Sequence, residues 1–265
     1  MSLTCVDHCL LAAARALRWS GCLTILCIAT NPVSAADCPA DHAKLTAALR
    51  ASVKPSGGPA NGGFENHEWA AVVTRDGVVC AVAFSGAVAT DQWPGSRAIA
   101  VEKATTANAF SLKGMALSTA NLFALAQPGQ SLYGIVTASP PSPEANAGDA
   151  AQFGLPNDPM NGKRIGGVIV FGGGLALYNG SDVVGGLGVS GDSACADHNA
   201  AWRVRQALGL DKIPAGVNPQ RKDAIIYDMN NTGQSASGFG HPKCAGREAD
   251  IADQIGAGVG GAALK

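Results

Sequence analysis

The sequence is short of charged side chains, and no sign of charge dominates. Asp, Glu, Lys and Arg make up 15% of the 265 residues, against about 25% in an average protein. The net charge is −1 and Lys and Arg form no cluster, so the electrostatic footprint of a nucleic-acid-binding protein is absent. Apolar residues reach 47%, which excludes intrinsic disorder, because disordered chains combine low hydrophobicity with high net charge.

Apolar runs long enough to cross a membrane are also missing. The run Gly21–Ala29 is much shorter than the ~20 apolar residues that a spanning helix needs. Arg15 and Arg18 precede it, and Val33-Ser34-Ala35 follows as a small-x-small cleavage site, the pattern of a secretory signal. We therefore expect residues 1–35 to be a signal peptide. The mature chain is expected to be periplasmic or secreted, with no membrane span.

Export changes the interpretation of the cysteines. An oxidising compartment favours two disulfides among the four that follow residue 35, and three pairings are possible. Two of these cysteines flank the first folded segment and two flank the last. The sequence therefore predicts the pairs Cys38–Cys80 and Cys195–Cys244.

The last two cysteines also allow a different site. Cys195-Ala196-Asp197-His198 and His241-Pro242-Lys243-Cys244 together contain the ligands of a Cys₂His₂ metal site. Such a site requires reduced thiols, which an oxidising compartment disfavours. A disulfide is thus the favoured interpretation, and the metal site with Cys195, His198, His241 and Cys244 as ligands is the alternative.

Secondary-structure patterns predict an α+β fold. An amphipathic helix is expected near the start of the mature chain, and further helices at 96–112, 116–126 and 194–208. Strand patterns cover 69–74, 78–84, 132–136, 165–171, 175–178, 183–189 and 225–227. The order is not a repeating βαβ series, so we expect an antiparallel sheet of about five strands with packed helices.

Five of the 14 prolines fall in residues 139–162, which we expect to form a lid loop. Residues 36–213 are expected to form the domain, and residues 214–265 an extension that wraps its core.

The run Gly186-Leu187-Gly188-Val189-Ser190-Gly191 matches G-x-G-x-x-G, but its context argues against a dinucleotide site. A Rossmann half needs an acid at the end of a second parallel strand, and Asp211 follows a helix end instead. A nucleophile elbow at Ser190 is also disfavoured, because Asp192 stands where that motif has its second glycine. Close packing of a strand on a helix explains the glycines better.

Haem binding can be tested against the residue types present. The sequence contains no C-x-x-C-H, which excludes covalent c-type attachment. Non-covalent haem needs an axial ligand and often a cation for the propionates. The histidines after residue 35 are His42, His67, His198 and His241. Our candidates for haem contacts are His198, His241, Met115, Tyr178, Arg97 and Lys103.

Two segments resemble a known family when they are taken together. The helix Ala100–Ala107 and the strand-to-helix run Val184–Gly191, followed by Asp197, are similar to signatures of the GlcG/HbpS family of haem-binding proteins. That family includes the C-terminal domain of PduO-type corrinoid adenosyltransferases. The resemblance covers residues 69–210. It implies a profilin- or PAS-like two-layer α/β domain, homo-oligomers, and haem or related tetrapyrroles as ligands in some members.

The leading hypothesis is therefore an exported protein that binds haem or a related tetrapyrrole for sequestration, transport or sensing. The second is an enzyme for a small organic acid or redox substrate, with Asp197 and His198 as acid and base. This chain has Asp197-His198 where the family often has Asp-Glu, which adds an imidazole as a candidate ligand. The third is a structural oligomeric subunit. The composition favours a binding scaffold over an enzyme.

Overall fold

The structure is a computed structural model that describes residues 37–260, so the predicted signal peptide lies outside the described residues. A four-stranded antiparallel sheet organises the domain, with strand order β2-β1-β4-β3. Its strands are β1 Trp69–Thr74, β2 Val79–Phe84, β3 Gly174–Asn179 and β4 Asp182–Ser190. The hairpin between β1 and β2 turns at Gly77, whose φ of 84° is the left-handed conformation that this tight turn requires.

Five α-helices and a second small sheet complete the described chain. The helices are α1 His42–Ser52, α2 Ser96–Phe110, α3 Ile135–Ala138, α4 Ala194–Ala207 and α5 Glu248–Ile255. In the C-terminal part, β5 Ile225–Tyr227 and β6 Gly258–Gly260 pair in parallel. None of the helices within residues 37–260 has the length and apolar character needed to cross a membrane.

Helices cover both faces of the main sheet. Successive side chains of a strand point to opposite faces, so Val72 and Val73 enter different cores. Val72 packs with Leu49 of α1 and Val204 of α4, whereas Val73 packs with Ala104 of α2. The predicted α+β class is confirmed. The main sheet has four strands where about five were expected, and its helices form two layers around it where the resemblance implied one.

Two glycines of β4 let α2 lie directly on the sheet. A Cβ at Gly188 would come within 1.9 Å of the Ala100 carbonyl oxygen, and one at Gly186 within 2.1 Å of the Ala104 carbonyl oxygen. Any larger residue would force the helix away from the strand. The G-x-G-x-x-G run therefore serves close packing, as the sequence context indicated.

Some local predictions were wrong. Residues 165–171 form no strand, because Gly166 and Gly167 adopt φ values of 69° and 83° that interrupt an extended chain. Residues 132–134 make turns, and residues 135 and 136 are the first residues of α3. The predicted helix at 116–126 is two short 3₁₀ helices, Thr119–Leu122 and Ala124–Ala126. Apolar runs of this length do not distinguish strand from helix or turn by periodicity alone.

Both disulfides form in the predicted pairing. Cys38–Cys80 links the segment before α1 to β2, across 42 residues, and Cys195–Cys244 links α4 to the loop before α5, across 49 residues. Cys195 is buried with Tyr227 of β5 and Ala252 of α5. The C-terminal residues thus share a small core with α4.

Candidate functional site

Lys103 and Asp197 form an ion pair in the interior of the domain. Nζ of Lys103 lies 2.6 Å from Oδ2 of Asp197 and donates to the Val189 carbonyl at 3.1 Å. Oδ1 of Asp197 accepts from the backbone N–H groups of Gly191 and Asp192. Burial raises the pKa of Asp197 to about 6, although the Lys103 ammonium opposes this shift. The pair ties α2 to the junction of β4 and α4, so the Lys103 ammonium is committed within the core.

Arg97 is also engaged internally. Its guanidinium forms a bidentate ion pair with Asp158, and both side chains are buried. It also donates to the Ala145 carbonyl and stacks over the Phe153 ring at 3.7 Å. All three partners lie in the Pro-rich loop 139–162. Arg97 therefore holds this loop on the domain.

Tyr178 and Met115 both contact Leu112. Tyr178 is fully buried, and its hydroxyl donates to the Leu112 carbonyl at 2.9 Å. Met115 pairs with Leu112 in an isolated bridge and is 37% exposed. Met115 alone of the two could meet a ligand from solvent without local opening of the fold.

His198 and His241 are both buried close to the Cys195–Cys244 disulfide. Burial lowers the pKa of His198 to about 3 and that of His241 to about 4, so both rings are neutral at pH 7. Because both sulfurs are in the disulfide, the alternative Cys₂His₂ site does not form in this state. Within residues 37–260, no group of three His, Cys, Asp or Glu side chains is arranged to hold a metal ion.

The suggested acid–base pair does not meet at one site. The Asp197 carboxylate contacts Lys103 and two backbone amides. The adjacent His198 ring packs near Trp202, with ring centroids 6.2 Å apart. Adjacent helical residues point about 100° apart, which explains the divergence.

His67 is partly exposed and lies beside a pocket. It lies at the entrance to β1, and its Nδ1 is 2.9 Å from Oγ of Ser85, which follows β2. Among the described residues, its Nε2 has no hydrogen-bond partner. By contrast, Nε2 of His42 donates to the Gly154 carbonyl at 2.8 Å. His67 thus presents a free ring nitrogen.

The pocket beside His67 is open and has a volume of about 380 Å³. Its lining includes the exposed Arg50 of α1 and the buried Ser85, together with Pro55, Ser56, Gly86, Ala87 and Asp91. Two backbone amides hold the Asp91 carboxylate and keep the pKa of that group low. No described acidic group forms an ion pair with Arg50.

An exposed aromatic pair lies close in sequence to two of the residues that line this pocket. Phe64, three residues before His67, is 70% exposed, and Trp93, two residues after Asp91, is 51% exposed. Their rings contact edge to face, with centroids 5.9 Å apart. Large exposed apolar side chains in contact mark a surface suited to an apolar ligand or partner.

The pairing of β1 with β2 explains how His67 meets Ser85. Trp69 lies opposite Phe84 in the antiparallel register, so the residues just outside the two strands are brought together. His67 is one of the four histidines after residue 35, and nothing in its local sequence distinguishes it as a ligand. The two predicted strands at 69–74 and 78–84 contained the signal, because antiparallel pairing of strands joined by a short turn places the residues before the first strand beside those after the second.

These features define a disulfide-linked α+β domain in which a helix packs directly on a glycine-rich strand. A family model described as "Haem degrading protein HbpS-like" matches residues 65–205, more than half of the chain. The chain belongs to the HbpS-like family.

Several solved structures are similar to this chain. Klebsiella pneumoniae protein ORFY is 22% identical, with 63% of this chain and 86% of that chain covered, at a TM-score of 0.42. The PduOC–heme complex is 22% identical, with 64% and 94% covered, at 0.44. A Streptomyces reticuli HbpS double mutant is 20% identical, with 75% and 99% covered, at 0.39. No curated protein matches the sequence. The family assignment therefore rests on the family model.

Proposed function

We propose that this chain is an exported protein that binds haem or a related tetrapyrrole in the pocket beside His67, for sequestration, transport or sensing. Membership of the HbpS-like family, whose model is described by a haem-degrading protein, supports a tetrapyrrole as the ligand. The two disulfides support an oxidising compartment. A signal peptide at residues 1–35 would direct the chain there.

The observation that carries the proposal is the free Nε2 of His67. A metal-ligating histidine usually donates its other ring N–H to a fixed acceptor, which sets the tautomer and the orientation of the ring. Oγ of Ser85 lies in position to accept from Nδ1. The Glu68 backbone N–H also donates to this Oγ, which holds the hydroxyl in place. A bound haem would supply an iron that takes a neutral imidazole as axial ligand.

The other residues around His67 fit the remaining demands of a haem. The Arg50 guanidinium can pair with a propionate carboxylate in a charge-assisted bond. The Phe64–Trp93 pair offers an apolar edge against which a flat macrocycle can pack. A pocket of about 380 Å³ would take part of the macrocycle and leave the rest accessible. The predicted homo-oligomer would then cover the accessible part with a second copy of the chain.

Titration with hemin tests this assignment. We expect a saturable Soret band in the wild type, and loss of His67 in His67→Ala should shift the band and weaken binding. Ser85→Ala, which removes only the outer partner, should cost ~10–100-fold in affinity. His42→Ala is the matched control, because its ring nitrogen already bonds to the protein, and it should bind as the wild type does. His198→Ala should also leave the band in place, because that ring is buried.

Two outcomes would contradict the proposal. The first is the absence of a saturable band at micromolar hemin with folded wild-type protein. The second is a band that His67→Ala leaves unchanged while His198→Ala or His241→Ala removes it, since the ligand would then lie in the buried histidine pair. Melting curves of each variant without hemin distinguish loss of a ligand from loss of the fold.

A further inference from the structure

A second histidine pair, which the haem proposal does not use, adjoins the Cys195–Cys244 disulfide. Cys195 and His198 are three residues apart on α4, so both side chains lie on one face of the helix. His241 and Cys244 have the same spacing in the loop before α5. The disulfide holds the two segments together.

Gly172 lies beside both histidines. Its backbone N–H donates to Nε2 of His241 at 3.3 Å. A Cβ built on Gly172 would lie 3.1 Å from Cβ of His198. The carbonyl oxygen of Pro242 lies close to both Cys195 and His241. It is 3.7 Å from Sγ of Cys195 and 2.7 Å from Nδ1 of His241.

His198 is an unpartnered polar side chain in the interior. It is fully buried, and neither ring nitrogen makes a hydrogen bond of normal geometry with the described residues, although a backbone group of Ala257 lies close to the ring. A buried polar group without a hydrogen bond destabilises the fold, so each case requires a physical explanation. One such explanation is that a ring nitrogen of His198 binds a metal ion when the Cys195–Cys244 disulfide is reduced.

His241 already has the arrangement of a metal ligand. Its Nδ1–H donates to the Pro242 carbonyl, so the Nε2 lone pair points away from this bond. The contact of Nε2 with the Gly172 amide, at 3.3 Å, is long for a hydrogen bond.

We propose that reduction of the Cys195–Cys244 disulfide creates a Zn²⁺ site whose ligands are Cys195, His198, His241 and Cys244. A dithiol reductant supplies two electrons and two protons, becomes a disulfide itself, and leaves both cysteines as thiols. Zn²⁺ then displaces the two thiol protons and binds two thiolates and two neutral imidazoles. This set is the tetrahedral Cys₂His₂ type, and its net charge of zero suits a buried position.

The metal would replace the covalent link without releasing the C-terminal residues. In the oxidised state Cys195–Cys244 joins α4 to the loop before α5, and in the reduced state Zn²⁺ would join the same two segments. The site thus couples metal affinity to the redox state of one cysteine pair. The zinc site uses no residue of the His67 pocket, so its test does not depend on whether the protein binds haem.

Cobalt(II) is the spectroscopic probe, added to the full chain before and after reduction with a dithiol. The reduced wild type should show thiolate-to-cobalt charge transfer and the intense visible bands of tetrahedral Co²⁺, and Zn²⁺ should bleach both. The oxidised wild type should show neither. Cys38→Ser/Cys80→Ser is the matched control and should retain the spectrum, whereas Cys195→Ser/Cys244→Ser should lose it.

The histidines need their own variants. His198→Gln and His241→Gln should each weaken Co²⁺ binding by more than the ~10–100-fold that loss of an outer partner costs. Zn²⁺ should raise the melting temperature of the reduced wild type, because it binds only the folded form, and should not do so in Cys195→Ser/Cys244→Ser. A tetrahedral spectrum that survives the double cysteine variant or both glutamine variants would overturn the proposal. So would reduced wild type that Zn²⁺ neither binds nor stabilises.

Discussion

Replacing Lys103 by methionine tests the ion pair at the centre of the domain. Nζ lies 2.6 Å from Oδ2 of Asp197, and the two side chains are 0% and 2% exposed. Methionine has similar length and no charge, so Lys103→Met leaves the Asp197 carboxylate buried without its cation. Breaking one partner of a buried pair costs about 3–5 kcal/mol. For a domain of this size, that loss corresponds to a fall in Tm of roughly 6–20 °C.

The pH dependence of this loss has a defined sign. Burial raises the pKa of Asp197 to about 6 in the folded protein, above its ordinary value of 3.8, and removal of Lys103 should raise it further. A group with a raised folded pKa stabilises the fold when protonated, and this stabilisation is lost as pH rises through the folded pKa. The variant should therefore be most impaired at pH 7 and recover towards pH 5.

Denaturant unfolding of a double-mutant cycle provides the measurement. Asp197→Asn removes the carboxylate charge but keeps an oxygen for the backbone amides, and Lys103→Met/Asp197→Asn should recover much of the loss caused by Lys103→Met. Lys113→Met is the surface control, since its pair with Asp182 is exposed and should contribute less than about 1 kcal/mol. If the effects of Lys103 and Asp197 add within ~0.5 kcal/mol, the two charges are not coupled and the reasoning fails.

Three further substitutions probe contacts that the fold depends on. Gly188→Ala should destabilise the domain by at least about 1–3 kcal/mol in thermal melts, because its Cβ would overlap the Ala100 carbonyl; a neutral effect would contradict direct packing of α2 on β4. Arg97→Met should speed hydrogen exchange in the loop around Asp158, and unchanged exchange would mean that other contacts hold the loop. Tyr178→Phe should cost about 0.5–1.5 kcal/mol in denaturant unfolding through its lost hydrogen bond, and no loss would assign the hydroxyl no role.

The sequence predicted the features that depend on residues close together in the chain. The turn at Gly77 needs a left-handed residue, so the β1–β2 hairpin was predictable from Asp-Gly between two β-rich runs. The helices α2 and α4 agree with the predicted ranges 96–112 and 194–208 to within two residues. The strand predicted at residues 165–171 was wrong, because an apolar run does not reveal that Gly166 and Gly167 take left-handed conformations in this context.

The functional residues, by contrast, could not be identified from local sequence patterns. Arg97 and Lys103 are the cation types that haem propionates require, yet both are buried against Asp158 and Asp197. His198 was a leading candidate, and its burial excludes a ligand that arrives from solvent while the fold stays closed. Each outcome depends on a partner 61 or 94 residues away, or on the packing of the C-terminal residues. Spacing in the sequence does not encode those contacts.

By itself, the sequence determined the α+β class, the family signatures and the cysteine pairing. These follow from short-range patterns, or from a compartment that favours disulfides. Only the tertiary structure decided which histidine keeps a free nitrogen beside a pocket, and which two are enclosed beside Cys195–Cys244. The physical reason is that exposure and hydrogen bonding of a side chain are set by residues distant in the chain. The same imidazole is a ligand in one environment and a core side chain in another.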